Sequence, residues 1–346
     1  MIYHVISRVV ERRLAFGREE KEQFRALMRM TEQFSGCRVL SYCVMSNHFH
    51  LLLEVPPMPK QGLSDEEFFR RLEVFYPAWR VKEVRQCLET AREAGNTEEA
   101  ARITGEFTYR MHDLSEFMKT LLQRFSTWFN TTHQRTGRLW EQRFKSLLVE
   151  GGTASRAVAA YIDLNPVRAG ICEDPADYRW SGYAEAVAGG KQARAGLSRA
   201  LRGHARLDRS GAAAPGGASE DWTKEGLAKE YRAILLGRGT EVVVDGEVKR
   251  LGMSEAESER QREELEGMKR DLSISRMIRH RVRYFSDGAV IGCRSYVDEV
   301  FRECRQYFGP KRKSGARKPR GALGGLAGEV WTARDLRIGV EEGSPG

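Results

Sequence analysis

CVMSNHFHLLLEVP, residues 43–56, sets two histidines either side of a phenylalanine at the head of a leucine run. In a strand, successive side chains point to opposite faces. His48 and His50 therefore leave one face, about 7 Å apart along the backbone, while Phe49, Leu51, Leu53 and Val55 leave the other, towards helices. RVLSYCVM upstream is a second strand-like run, and Ser46-Asn47 between them makes a tight hairpin. Both imidazoles are then expected on an open sheet face. There they can share a divalent cation and leave coordination positions open for substrate. Two half-buried histidines with ordinary hydrogen bonds fit a bare His-x-His as well.

At the N-terminus, MIYHVISR alternates as a strand. REEKEQFRALMRMTEQFSG puts Phe24, Leu27, Met28, Thr31 and Phe34 on one helical face and stops at Gly36. DLSEFMKTLLQRFSTWFN carries a capping box, Asp113 with Glu116, and one apolar stripe from Leu114 to Phe129. RFKSLLVE reads as a fourth strand, and TASRAVAAYIDL as a helix that ends near Asn165-Pro166. Without residues 57–112 the order is β-α-β-β-α-β-α. Its first six elements match the split βαβ, ferredoxin-like arrangement, with a four-stranded antiparallel sheet and helices on one face. The predicted class is α+β.

The expected domain therefore combines residues 1–56 with 113–187, interrupted by a helical insertion over 57–112 with starts at Ser64 and Asn96. Residues 188–221, rich in Gly, Ala, Ser and Arg, read as a linker. Residues 222–308 read as a mostly helical accessory region. It holds a VVVDGEVKR hairpin and two helices flanking SDGAVIG, which is compatible with a helix-turn-helix. Residues 309–346 read as a basic, Gly-rich disordered tail.

The chain has 346 residues, 41% of them apolar and 30% charged, with a net charge of +9. That length suits more than one domain, and the charge favours a polyanionic partner, nucleic acid first and an anionic membrane surface second. No apolar run is long enough to span a bilayer and the N-terminus has no apolar signal core, so a cytoplasmic protein is expected. The six cysteines are scattered without a CxxC pair, which argues against structural zinc. No GxxxxGK[ST] loop is present, and no ATP requirement is expected.

The histidine pair acquires a partner in YIDLNPVRAG. Asn165 lies four residues after Tyr161, on the same helical face, so a phenol and an amide are presented together. An amphipathic helix whose tyrosine packs and whose asparagine caps the C-terminus fits the same residues.

MSNHFHLLLE, GRLWEQRFKSLLVE, AYIDLNPVRAG and DPADYRWSGY, in that order, resemble the single-tyrosine HUH transposases, and among them the REP-associated tyrosine transposases. The resemblance covers about residues 1–56 and 113–187. It implies that His48 and His50 bind a divalent ion, magnesium or manganese, that Asn165 adds an oxygen ligand, and that Tyr161 is the nucleophile. It also implies a single-stranded DNA endonuclease and strand-transferase that passes through a 5′-phosphotyrosine, working on hairpin DNA, with a homodimer among the arrangements such proteins adopt. A domesticated protein that grips hairpins without cutting, and a replication or mobilisation nuclease, are the alternatives.

Candidate DNA contacts are Arg8, Arg138, Arg143, Lys145 and Arg168, with Trp140 as an aromatic that can stack on an unpaired base. Lys311, Arg312 and Lys313 open the basic tail as a nonspecific tether. Where the family often shows a Gly-Asn step after the first strand, this chain reads SRVVERR.

Overall fold

Around Ser46-Asn47, β2 (Arg38–Val44) and β3 (His48–Glu54) form the expected hairpin, and the Met45 N–H donates to the His48 carbonyl at 2.8 Å. The computed structural model describes residues 1–202, 222, 226–236, 242–244, 247–250, 285, 288–317 and 330–334. β1 (Ile2–Arg8) lies between β3 and β4 (Lys145–Val149), giving the order β2-β3-β1-β4 of the split βαβ arrangement. β1 and β4 run antiparallel, with His4 opposite Leu147.

The sheet does not stop at four strands. β7 (Gly288–Gly292) adds to β4 in parallel, Leu148 opposite Val290, and β8 (Trp331–Arg334) closes that side antiparallel to β7. Two expectations are corrected here. SDGAVIG supplies a sheet strand rather than the turn of a helix-turn-helix, and the tail expected to be disordered contains β8. The physical reason is the same for both. Val290, Ile291 and Ala333 are apolar residues that an open β4 edge can bury. The helix expected over residues 273–285 lies outside the described residues except Phe285. β5 (Val242–Val244) and β6 (Glu247–Arg250) form the expected hairpin as a separate two-stranded sheet.

Contacts divide the chain into two compact units. The first contains Met1–Ser7, Leu40–Leu53 and the part from Arg143 onward; the second contains Arg8–Val39 and Glu54–Gln142.

In the first unit, the sheet face that carries the histidines is itself covered by helices, which corrects the expectation that this face is open. α6 (Thr153–Asp163) is buried almost all round, as expected for a helix that is apolar on every side. Its alanines and Val158 pack with Ile2, Leu52, Leu147 and Val149 of the sheet and with α9 (Lys191–Arg202) and α10 (Leu227–Leu236). The helix α9 occupies most of the described part of the supposed linker. Ala193, Gly196, Leu197, Ala200 and Leu201 are its buried residues, a stripe at helical spacing made of small side chains. The Ser155 hydroxyl donates to the Ala200 carbonyl at 2.8 Å, joining α6 to α9.

After α6 come the single turn α7 (Asn165–Arg168) and α8 (Gly182–Val187). The segment before α8 covers the free edge of β2. Val44 N–H donates to the Trp180 carbonyl at 2.9 Å and the Tyr178 hydroxyl donates to the Val44 carbonyl at 2.7 Å. Gly182 suits the close approach there, because a Cβ would sit 3.1 Å from the Tyr42 amide nitrogen. α11 (Arg294–Glu303) follows β7 and packs Val297 and Phe301 against Val290 and Ala333.

The second unit is helical. α1 (Arg18–Ser35) ends at Gly36 with φ 72°, and α5 (Leu114–Thr132) starts at Asp113, whose carboxylate accepts from Glu116 N–H at 2.8 Å. Phe24 of α1 meets Phe125 of α5 edge to face at 5.3 Å. Residues 57–112 carry α2 (Asp65–Phe75), α3 (Ala78–Glu93) and α4 (Thr97–Thr108), with Ser64 and Asn96 as N-caps. These helices build a small core of their own against Phe34 of α1. None of the described helices is long and apolar enough to cross a membrane.

Candidate active site

The alternation of β3 puts His48 and His50 on one face, with ring centroids 5.1 Å apart. His50 is buried and His48 half-buried. A third histidine joins them. His4 of β1 stacks on His50 at 5.2 Å, with its Nε2 3.0 Å from His50 Nδ1, and its own Nδ1 lies 2.6 Å from the Phe285 carbonyl.

The hydrogen-bond partners fix the tautomers. A carbonyl oxygen only accepts, so His4 carries its proton on Nδ1. Burial lowers the His4 pKa to about 4, so the ring is neutral and its Nε2 accepts. His50 must then donate from Nδ1, which places the lone pair of His50 on Nε2. His48 Nδ1 lies 2.7 Å from the Asn47 side-chain oxygen, another acceptor, so the His48 lone pair is also on Nε2. Both imidazoles of the His-x-His pair thus carry the tautomer in which a metal binds Nε2 and a partner orients the ring through Nδ1.

Tyr161 faces this group from α6. Its ring centroid lies 5.7 Å from His50 and 5.8 Å from His4, both edge-on. It stacks on Phe285 at 4.9 Å with 18° between the planes. The Arg168 guanidinium stands 4.9 Å from the same ring and donates to the Tyr161 carbonyl at 3.1 Å. Tyr161 is 3% exposed, so Phe285 and the core around it leave the phenol little access to solvent.

Two residues after Tyr161, on the opposite side of α6, Asp163 anchors the helix. Its carboxylate accepts from Ser41 of β2 at 3.1 Å, from the Tyr183 amide at 3.0 Å and from the Tyr231 hydroxyl of α10 at 2.6 Å. It is fully buried and desolvation raises its pKa to about 7, against the pull of these three donors.

Asn165 does what a capping residue does. Its side-chain nitrogen donates to the Tyr161 and Ile162 carbonyls at 3.0 and 3.2 Å. Its side-chain oxygen is the atom left for any ligand role. The donor chemistry fits a divalent ion held by His48 and His50 through Nε2, with oxygen from Asn165, water or substrate. Among the described residues, no group of three or more His, Cys, Asp or Glu side chains could hold a metal.

The other basic candidates divide. Lys145 is exposed at the start of β4, two residues before Leu147, on the sheet face that carries His4. Arg143 is exposed beside it. Arg8 and Arg138 are exposed within the helical unit. Trp140 is packed there instead of offered for stacking. Its ring lies 5.8 Å from both Phe16 and Phe125, and its indole N–H donates to the Leu122 carbonyl at 3.3 Å. Lys311 and Lys313 are exposed, but Arg312 is built into the fold, stacked 4.9 Å over Phe308 and donating to the Ser314 and Gly315 carbonyls.

His4, Asn47 and Phe285 were not found by sequence reasoning. His4 had a signal, since it alternates in phase with Ile2 and Ile6 on a strand expected beside the histidines. Phe285 had none, because it arrives from a segment far along the chain.

The family model described as "Transposase IS200 like" matches residues 1–65. The match takes in β1, β2 and β3 with His4, His48 and His50, and ends before Tyr161. Among solved structures, the chain is similar to one described as the structure of a REP-associated tyrosine transposase bound to a REP hairpin. The identity is 13% and the TM-score 0.35, over 55% of this chain and 80% of that one. No curated protein matches.

Proposed function

We propose that this protein is a transposase-type enzyme that cuts and rejoins a single DNA strand through Tyr161. The observation that carries the reading is the meeting of Tyr161 with His50 and His4 on one sheet face, beside His48, within 6 Å ring to ring. The family match over residues 1–65 supports the same reading from the other side of the site.

In the proposed reaction the Tyr161 oxygen attacks a phosphodiester phosphorus and the bond to the 3′-oxygen breaks. The phenol proton passes to solvent and the departing 3′-oxygen takes one up. The products are a 5′-phosphotyrosine and a free 3′-OH, and the reverse attack by a 3′-OH rejoins the strand without ATP. A phenol is a poor nucleophile at its ordinary pKa near 10. The Arg168 guanidinium beside the ring stabilises the phenolate, and the Asp163 anchor holds the helix that aims it. A divalent ion on His48 and His50 would withdraw charge from the phosphate oxygen and fix the phosphate in place. His4 and Asn47 keep the two Nε2 lone pairs pointed at that position.

One observation favours a second reading, a hairpin-binding protein that does not cut. Tyr161 is buried, with Phe285 stacked on its ring, and a strand reaches the phenol only when this cover moves aside.

The test is incubation with labelled single-stranded hairpin oligonucleotides drawn from DNA flanking the gene, with manganese or with EDTA, resolved on a denaturing gel. A covalent adduct that needs the metal and vanishes in Tyr161→Phe is the expected result. Tight binding by both forms with no adduct in either would leave the second reading.

A further inference from the structure

The helical unit holds a cavity of about 490 Å³ that the proposed chemistry does not use. Thr120, Gln123, Arg124, Thr127 and Trp128 line it from one face of α5, at the spacing that brings side chains together along a helix. Arg110, from the end of the insertion, also lines it, with Leu27 of α1. The two arginines rest on one aromatic pair. Phe34 and Phe75 stack at 4.2 Å, Arg124 lies 3.7 Å over Phe75, and Arg110 lies 5.0 Å over Phe34 and 5.6 Å over Phe75.

Neither guanidinium forms an ion pair with a carboxylate among the described residues. Glu116 acts on Arg110 at a distance, but its carboxylate is paired with Lys119 at 3.1 Å. Among the described residues, the Arg110 Nε is buried without a hydrogen-bond partner and Arg124 donates only to the Phe75 carbonyl, at a long 3.4 Å. Burial pulls both guanidinium pKa values down, and for Arg110 the charge of Arg124 adds to the effect. Two half-buried like charges without a counter-charge are costly. Cation–π contact repays only part of this, about 0.5–2 kcal/mol each. A cavity with two such cations, two threonine hydroxyls and an amide at its wall is a site for a polyoxyanion. Trp128, half-buried at the wall, and Tyr109, 60% exposed and 5.8 Å from Arg110, add aromatic faces beside it.

We infer that this cavity binds a phosphate of a single nucleic-acid strand between Arg110 and Arg124, with the neighbouring base stacked on Trp128. The inference rests on the reading that this protein handles a DNA strand. It assigns to the helical unit a strand-binding role separate from the tyrosine and the histidines.

The test uses the full chain, with a fluorescent oligothymidylate titrated at several salt concentrations, for wild type, Arg110→Gln, Arg124→Gln and the double variant. Each phosphate of a single strand that a variant ceases to neutralise makes the slope of log K against log salt shallower by about 0.7. The expected result is a shallower slope in each single variant and a change of about 0.7, that of the one phosphate, in the double, with Tm kept or raised because the repulsion between the two cations is relieved. Unchanged slopes with a lowered Tm would make the arginines packing elements and overturn the inference. A rise in Tm with inorganic phosphate that the variants lose, again with unchanged slopes, would assign the site to a small free anion and overturn it too. The tyrosine adduct is scored on the same preparations. An adduct with unchanged slopes sinks this site alone, whereas shallower slopes without any adduct sink the cleavage reading and leave the site standing.

Discussion

Replacing His4 with phenylalanine keeps a planar ring of similar size against His50, where the two rings stack at 5.2 Å, and removes both of its hydrogen bonds. His50 Nδ1 loses its acceptor at 3.0 Å and the Phe285 carbonyl loses its donor at 2.6 Å. With the His4 acceptor gone, its hold on the His50 Nδ1 proton is lost, and the lone pair that would meet a metal at Nε2 is no longer assured. Removing an outer partner of this kind lowers metal affinity about 10–100-fold, which is about 1.4–2.8 kcal/mol. A buried donor and a buried acceptor are also left unsatisfied, each costing about 1–3 kcal/mol of stability. The assay is calorimetric titration of manganese into wild type, His4→Phe and His50→Ala, at a temperature where circular dichroism shows all three folded. His50→Ala is expected to lose binding and His4→Phe to weaken it by the stated factor. Wild-type affinity in His4→Phe, with binding lost in His50→Ala, would refute the tautomer argument. Absence of binding in the wild type would refute the metal site itself.

Three further outcomes are expected. Phe285→Ala uncovers Tyr161 and should raise the rate of adduct formation on a hairpin oligonucleotide while lowering Tm, the cost of a large-to-small change in a core being about 3–5 kcal/mol; an unchanged adduct rate would mean that Phe285 does not gate the phenol. Asp163, raised to about 7 when folded against an ordinary 3.8, binds its proton more tightly in the folded state. Its contribution is therefore fully present below pH 4 and lost as pH rises to about 7. His4 slopes the other way, its burial as a neutral ring favouring the fold above pH 6.5 and losing that advantage as pH falls towards 4. The useful quantity is thus the stability of Asp163→Asn minus wild type by urea denaturation, which should move in favour of the variant from pH 4 to 7 by up to about 4 kcal/mol; a flat difference would show that the three donors hold the carboxylate ionised throughout. Arg168→Gln should slow adduct formation more at pH 7 than at pH 9, because the phenolate it stabilises is scarcer at the lower pH; equal slowing at both would make Arg168 a phosphate or packing contact only.

The site was legible where one local period decided it. The His48–His50 pairing follows from the twofold repeat of a strand, and the i, i+4 relation of Tyr161 and Asn165 from the helix. The four-strand order followed from element sequence and hairpin chemistry. What was missed came through composition or distance. Ala193, Gly196, Leu197, Ala200 and Leu201 have a helical period, but their small side chains resemble the Gly, Ala and Ser content of a flexible segment, which is why residues 188–221 suggest a linker. GAVIG is too short and too glycine-bounded to declare itself a strand until β4 offers an edge. An open sheet face is expected from the sequence because nothing near His50 along the chain announces its cover. That cover is α6 with α9 and α10, and Phe285.

The pairing of β7 with β4 and the seating of Phe285 on Tyr161 also order events in time. The chain runs 124 residues from Tyr161 to Phe285, and synthesis at about 5–20 residues per second takes roughly 6–25 s to cover that interval. Throughout it the histidines, the tyrosine and β1–β4 already exist while Phe285 and β7 do not. A ribosome that stalls or a protease that cuts in the interval yields a chain in which Tyr161 lacks Phe285 on its ring face. Under the proposed function, the last third of the message, and not the part that encodes Tyr161 and the histidines, then decides how far the phenol is open to a DNA strand.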